Sequence, residues 1–334
     1  MIPEDLKLQK RHASIDHIEK EFVHKNLEEN VFVSNIKKVS ERKFEVEGVL
    51  PKNHTLYNDQ FSGLSACPYF IELSRQSNMA ICHLFFNVGF DSAFTLISVD
   101  WNFSDNKPFL PKTFEPIIYN VEFIAFKVRK KFSIAKIVGH LYQNGDNFLN
   151  GKSTFLFGNQ STADVPTESA IQLFISKGRS ADLEPIQIKQ IENALITHPT
   201  IDKTTGNIKA QMIVNINHHY FFEHPCTHVP GMMLLEAGKQ LVVGGLKTKF
   251  DFLQNTYGDF KKGKITFSNF AAPHLEVLIE VINQEPDVQK DYVHIPVSVI
   301  YTQNNQQLGI IEGVTSFMNK KKVKKKSAYT SWIY

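Results

Sequence analysis

Hydrophobic positions along the chain follow two patterns, one typical of half-buried strands and one typical of a buried helix. Phe44, Val46 and Gly48 alternate with Glu45 and Glu47, the period-two pattern of a strand with one face in water. Other short runs rich in Phe, Ile and Val predict strands at residues 31–36, 44–50, 93–103, 116–129, 134–142, 148–157, 208–216, 264–270, 276–282, 292–301 and 308–318. Strands therefore dominate the predicted structure.

One helical segment occurs twice. The letters FIELSRQ surround Glu72 and the letters LLEAGKQ surround Glu236, so the second glutamate follows the first by 164 residues (236 − 72). Pro68 lies where proline favours the first turn of a helix, and Pro230 lies just before the second helix. Strands come before and after each helix, which predicts one structural unit present twice.

A single apolar helix with antiparallel strands on both sides in sequence indicates an α+β fold in which a sheet wraps round a central helix, the hotdog arrangement. The repeat makes this a double hotdog, and we expect the two units to pair as a built-in pseudo-dimer. The predicted boundaries are a first unit at 20–160, a linker at 161–190, a second unit at 191–319 and a basic tail at 320–334.

Composition narrows the protein class. The 334 residues are 42% hydrophobic and 21% charged, which fits a globular chain of about two domains. The start of the chain lacks an apolar signal segment, no run is long enough to span a bilayer, and three scattered cysteines form no C-x-x-C pair, so we expect a cytoplasmic protein.

Charge argues against nucleic-acid binding. The net charge of +3 includes six lysines at 320–326, and without them it would be −3 (3 − 6). The tail is either a solvated end or an anchor for an anionic surface, and we favour the solvated end.

Residues 218–240 hold the densest set of chemically useful side chains, HHYFFEHPCTHVPGMMLLEAGKQ. A zinc site is disfavoured because His218 and His219 are expected to face opposite ways on a strand. Pro225 and Pro230 also prevent a helical His-x-x-x-His pair. Cys226 is interpreted as a bystander, and Gln76 and Gln240 as side chains that hydrogen-bond within the packed helices.

The segment H-P-x-x-H-V-P-G-M-x-L-L-E-A at 224–237 resembles the A-factor biosynthesis (AfsA-type) hotdog family. The first half of the chain is similar to that family's opening and first central helix at 23–25, 31–32, 50–54 and 72–76, with His83 downstream. The matched motifs occur in the family's order.

The resemblance implies an acyltransferase of γ-butyrolactone signal synthesis. Such an enzyme moves a β-ketoacyl group from the thioester of an acyl-carrier protein to the hydroxyl of dihydroxyacetone phosphate, with no metal or redox cofactor. The implied catalytic residues are Glu236, Glu72 and His224. The implied substrate-binding residues are Lys239, Arg75, His228 and Gly231.

These roles agree with the chemistry of the reaction. A partly desolvated glutamate has a raised pKa and suits a general base. The helix N-terminus at Gly231 offers backbone N–H groups to an oxyanion. Lys239 and Arg75 each follow a glutamate by three residues and so lie on the same helical face, ready to bind phosphate.

Two departures from the family pattern concern the acceptor. Lys239 stands where the family usually has arginine, and it lacks the bidentate fork of a guanidinium. Cys226 and Thr227 stand where the family tends to have an apolar residue and an aspartate. The acceptor can therefore differ from dihydroxyacetone phosphate.

Two other functions compete with acyl transfer. A hotdog dehydratase or thioesterase would use His224 and a glutamate on acyl-carrier substrates without a phosphorylated acceptor. A non-catalytic ligand sensor could be built on the same fold, although no helix-turn-helix with a basic face is evident. Removal of Lys239 or Arg75 should abolish acceptor use only in an acyltransferase.

Overall fold

The computed structural model describes residues 14–49, 51, 53–61, 66–104, 116–129, 132–159, 179–223 and 226–320. Most of the predicted linker and of the basic tail lie outside these residues. The chain divides into two compact units. The first contains residues 1–54, 70–99 and 112–163, and the second contains residues 55–69, 100–111 and 164–334.

The first unit is a sheet with one long helix, α1 (Ala66–Phe85), of which residues 66–69 belong to the second unit. The strands are β1 (Ser14–Ile15), β2 (Val33–Lys38), β3 (Lys43–Gly48), β4 (Ser92–Phe103), β5 (Ile117–Lys127), β6 (Ser133–Gln143) and β7 (Asp146–Asn159). Their order is β1-β2-β3-β5-β6-β7-β4, and the neighbours from β1 to β7 are antiparallel.

The second unit repeats this plan around helix α2 (Gly231–Lys249). Its strands are β8 (Thr200–Ile201), β9 (Ile208–Gln211), β10 (Thr256–Phe267), β11 (Leu278–Asn283), β12 (Asp287–Val288), β13 (Tyr292–Gln303) and β14 (Gln306–Asn319). The order is β10-β14-β13-β11-β9-β8 with β12 beside β13, and all these pairs are antiparallel.

Most predicted strands are confirmed within a few residues, but two predictions were wrong in extent. The strand predicted at 208–216 ends at Gln211, because the next two residues leave the ladder: Met212 N–H donates to the Val277 carbonyl and Ile213 N–H to the Leu195 carbonyl. The strand predicted from Lys264 begins eight residues earlier. Polar residues and a bulge near Phe260 interrupt its apolar pattern.

Both helices are buried on nearly every side, as expected for a helix that a sheet surrounds. In the first unit the Phe44 ring lies 5.0 Å from Phe85 and 6.0 Å from Phe123, joining β3, α1 and β5. In the second unit the Tyr301 hydroxyl donates to the Leu234 carbonyl over 2.9 Å. A Cβ at Gly238 would overlap that hydroxyl, so glycine permits this close approach.

No helix among the described residues is long and apolar enough to cross a bilayer.

Candidate active site

In the first unit, α1 presents Glu72 and Arg75 on one face. Arg75 Nε lies 2.7 Å from Glu72 Oε2, and Nη2 lies 2.9 Å from Oε1, so the guanidinium binds the carboxylate with both prongs. Lys25 adds a second cation, with Nζ 3.5 Å from Oε1. The Glu72 side chain is 1% exposed and that of Arg75 is 27% exposed. Two cations therefore hold a buried carboxylate, and one of them reaches solvent.

This environment overturns the expected raised pKa of Glu72. Burial alone would raise the pKa, but the charges of Arg75 and Lys25 and hydrogen bonds from Arg75 and Gln76 lower it to about 2. A carboxylate with so low a pKa takes up a proton poorly at neutral pH. The sequence argument considered desolvation and left out the two cations.

In the second unit, α2 repeats the arrangement with lysine in place of arginine. Lys239 Nζ lies 3.1 Å from Glu236 Oε2, and both side chains are at most 3% exposed. The predicted closeness of each glutamate to its cation is thus confirmed in both units. The ammonium makes one contact with Glu236, where the guanidinium makes two with Glu72.

A glutamine one residue after each cation ties the helix to a neighbouring loop. In the first unit Gln76 Nε2 donates to the Asn30 carbonyl, and Gln76 Oε1 accepts the Phe32 N–H, both over 2.8 Å. In the second unit Gln240 makes the same two bonds, at 2.8 and 2.9 Å. Its partners are the Asn193 carbonyl and the Leu195 N–H. Each glutamine also donates to its glutamate. The structure agrees with the packing role predicted for these residues.

An asparagine and a histidine extend the arrangement in each unit. His54 Nε2 lies 2.9 Å from Asn30 Oδ1, and His218 Nε2 lies 3.1 Å from Asn193 Oδ1. Burial, with a smaller contribution from His219, lowers the pKa of His218 to about 4, so this ring is neutral at pH 7. Its Nδ1 accepts the backbone N–H of Tyr220, which leaves the proton on Nε2 to be donated to Asn193.

The expected strand geometry of His218 and His219 was wrong. Both lie in a turn, and their rings stack with centroids 4.8 Å apart and planes at 15°. His219 Nε2 is 2.6 Å from Thr55 Oγ1, so the side chain is held by a hydroxyl. The turn arises because the chain has already left β9 at Gln211.

Comparison with known proteins identifies the family. The model of the A-factor biosynthesis hotdog domain matches residues 7–127 and 184–319. The chain belongs to this family. The two separate matches confirm the predicted α+β fold with two hotdog units.

Individual relatives of this A-factor family protein are distant. A 2-oxo-3-(phosphooxy)propyl 3-oxoalkanoate synthase of Streptomyces griseus is 25% identical over 228 residues, which cover 66% of this chain and 72% of the relative. Among solved structures, the chain is similar to a 12:0-ACP thioesterase from Umbellularia californica (7% identity, TM-score 0.47, 83% of this chain and 94% of that one). It is also similar to an acyl-CoA thioesterase II from Mycobacterium marinum (8%, TM-score 0.43, 85% and 94%).

The remaining predicted residues lie in the segment that leads into α2 of this A-factor family protein. His224 lies outside the described residues. The His228 ring packs on Phe270 at 4.6 Å, and its Nδ1 is 3.2 Å from Thr227 Oγ1. Gly231 is the first residue of α2, as predicted.

The first turn of α2 limits which backbone groups could bind an oxyanion. The N–H groups of Met233 and Leu234 donate to the Pro230 carbonyl. The N–H groups of Gly231 and Met232 therefore remain as the candidate donors.

Two acidic residues near the second site were missed by sequence reasoning. Asp59 Oδ2 accepts from Asn193 Nδ2 over 2.8 Å, and burial raises the pKa of Asp59. Burial raises the pKa of Asp259 to about 6 against the charge of Lys239, and its Oδ2 accepts the N–H of Cys67 in the first turn of α1. Neither carboxylate belongs to the duplicated pattern, so the repeat gave no indication of them.

The asparagine–histidine pairs, by contrast, could have been found from the repeat. Asn193 follows Asn30 by 163 residues (193 − 30), and His218 follows His54 by 164 (218 − 54), nearly the spacing of the two glutamates. Among the described residues, no group of three or more His, Cys, Asp or Glu side chains could hold a metal ion.

Proposed function

We propose that this protein transfers a β-ketoacyl group from an acyl-carrier thioester to the hydroxyl of dihydroxyacetone phosphate or a similar phosphorylated acceptor. The observation that carries the proposal is the buried Glu236–Lys239 pair on the central helix of an A-factor family chain. The name of the Streptomyces griseus relative describes the synthesis of a 3-oxoalkanoate ester with a phosphooxypropyl group, which supports the same reaction class here.

The proposed step is an ester exchange. The acceptor hydroxyl oxygen attacks the thioester carbonyl carbon, a C–O bond forms and the C–S bond breaks. The hydroxyl proton passes to a general base and then to the departing thiolate. No electrons leave or enter the reactants, so the proposal includes no redox cofactor.

Glu236 is the proposed general base. The pKa of Glu72, about 2, makes that carboxylate poorly suited to take a proton, and its proposed task is to hold the Arg75 guanidinium in place. His224 remains a prediction, either as the group that orients the thioester carbonyl or as the base. The N–H groups of Gly231 and Met232 are the proposed donors to the oxyanion.

Anion binding falls to the cations. Lys239 is the proposed phosphate contact in the second unit, and Arg75 is its counterpart in the first. The exposure of Arg75, 27% against 2% for Lys239, supports direct access of an anion to the first unit. His228 is a proposed substrate contact because it lies just ahead of Gly231 in the segment that begins α2.

The test is a turnover assay with purified protein and a β-ketoacyl thioester, on carrier protein or pantetheine, with and without dihydroxyacetone phosphate. Mass spectrometry should show a new phosphate ester only when the acceptor is present. Glu236→Gln should lower its rate about 100-fold or more, the size of a lost general base. Lys249→Arg is a control on the same helix, since Lys249 bonds only to Gly206 and Asn283 among the described contacts.

Other products would redirect the interpretation. Free acid or enoyl product formed without acceptor would replace acyl transfer by a thioesterase or dehydratase. Full turnover in both Glu236→Gln and Glu72→Gln would remove the glutamates from the mechanism. Binding without any turnover would favour the ligand sensor.

A further inference from the structure

A cavity of about 50 Å³ lies inside the first unit between α1 and the sheet. Its walls are mainly apolar, with Phe94 and Leu96 from β4 and Phe155 from β7 facing Ile71 of the helix. Two polar residues of α1, Arg75 and Asn78, complete the lining. The apolar walls fit an aliphatic group, and the polar positions fit one that carries a hydrogen-bonding atom.

Asn78 is the informative polar residue. It is 3% exposed, and its Oδ1 is buried with no hydrogen-bond partner among the described residues. The Tyr119 hydroxyl hydrogen-bonds with the side chains of Asn78 and Ser74. That bond orients the amide, with its NH₂ group toward the tyrosine and its oxygen available. A buried amide oxygen is stabilised when a donor reaches it.

We propose that this cavity binds an aliphatic segment bearing a hydroxyl group, whose O–H donates to Asn78 Oδ1. A keto group cannot satisfy this atom, because a carbonyl oxygen has no proton to donate. The inference deepens the proposed function by naming a hydroxylated chain as the acyl class that the first unit selects. It depends on the proposed function only in taking that ligand to be an acyl chain.

The second unit lacks these features at the corresponding helix positions. Val242 stands where the first unit has Asn78, and Gly238 stands where it has Ser74, each 164 residues later (242 − 78 and 238 − 74). The Tyr301 hydroxyl occupies the space beside Gly238. The same helical face is therefore packed in one unit and leaves a polar-edged cavity in the other, so the cavity is not a requirement of the fold.

Two isomeric probes test the inference without requiring turnover. Pentan-1-ol and butyl methyl ether contain the same atoms, but only the alcohol can donate a hydrogen bond. Their dissociation constants would be measured on the full chain from methyl NMR shifts of Leu96. Because Asn78→Val copies the second unit, the readout is the alcohol-to-ether affinity ratio in wild type divided by that in the variant. Differences in transfer from water cancel in this quotient.

We expect the quotient to be about tenfold, the size of one hydrogen bond of about 1.4 kcal/mol. Both probes should still bind Asn78→Val, and neither should bind Leu96→Trp, which fills the cavity. A quotient near one, or Leu96 methyls that do not respond in wild type, would overturn the inference.

A variant that keeps Asn78 guards against a folding defect. Tyr119→Phe removes only the hydroxyl that orients the amide, and it should lower the alcohol preference by releasing the amide to turn. An unchanged preference there would also count against the proposed geometry. Because no reaction is measured, failure of the acyl-transfer assay would leave this result intact, and failure here would leave the assay intact.

Discussion

His218 donates from Nε2 to Asn193 Oδ1 over 3.1 Å, while its Nδ1 accepts the backbone N–H of Tyr220. Asn193 in turn donates from Nδ2 to the Thr55 carbonyl at 2.7 Å and to Asp59 Oδ2 at 2.8 Å. One buried amide thus joins the turn after β9 to the loop at 55–61. The first unit has the corresponding pair, His54 and Asn30, at 2.9 Å.

Asn193→Ala should destabilise the protein. The truncation leaves the His218 N–H, the Thr55 carbonyl and the Asp59 carboxylate without this partner in a buried site, and we expect a loss of about 2–4 kcal/mol. Urea unfolding followed by circular dichroism measures it. Asn217→Ala, at an exposed position nearby, is the matched control and should change the free energy of unfolding by less than about 0.5 kcal/mol. Equal effects of the two substitutions would contradict the network.

Much of the fold was predictable because its signals are local. Alternation at Phe44 and Val46 reports a half-buried strand, and a helix apolar on nearly all sides reports a central position. The start of β10 was missed because Asp259 and a bulge near Phe260 break the period. The end of β9 was missed because Met212 is buried by loop contacts, which also favour apolar residues.

The candidate site was predictable where it depends on helix spacing, and not where it depends on distant segments. Three-residue spacing places Arg75 beside Glu72 and Lys239 beside Glu236. Lys25 reaches Glu72 from a segment 47 residues earlier (72 − 25), and its charge helps to reverse the expected pKa shift. Such contacts depend on tertiary structure, which the helical pattern does not contain.

Glu72 should make the protein sensitive to acid. Its folded pKa of about 2 lies below its ordinary value of 4.5, so its contribution is present above pH 4.5 and is lost as the pH falls toward 2. The contribution at neutral pH is on the order of 3 kcal/mol. Urea unfolding of wild type and Glu72→Gln from pH 7 to pH 3 should show a stability gap that narrows with acid. Parallel curves would rule out the linkage.

Asp259 should act in the opposite direction. Its folded pKa of about 6 lies above the ordinary 3.8, so the folded state binds a proton more tightly, and stability decreases as the pH rises from 3.8 to 6. Asp259→Asn removes this dependence, with a difference on the order of 3 kcal/mol between the ends of that range. The same titration checks it, and wild type must gain relative to the variant on acidification. A gap that moves the other way would mean that the Lys239 charge outweighs burial.

Lys247 on α2 is a buried cation whose replacement should stabilise the protein. Burial, with a smaller contribution from Lys320, lowers the pKa of Lys247 from 10.5 to about 8, which means that the ammonium costs free energy in the folded state at pH 7. Lys247→Met keeps an unbranched side chain without the charge, and it should raise the free energy of unfolding by about 1–3 kcal/mol.

The pH dependence of this gain gives a second check. Between pH 8 and pH 10.5 the folded wild type releases its proton before the unfolded chain does, so wild type becomes more stable and the advantage of Lys247→Met shrinks. Urea unfolding at pH 7 and pH 10 measures both values. Lys247→Arg retains the charge and should not be stabilised, because a guanidinium cannot lose its proton in this range. If Lys247→Met were less stable than wild type at pH 7, the ammonium would have to be making a favourable buried contact.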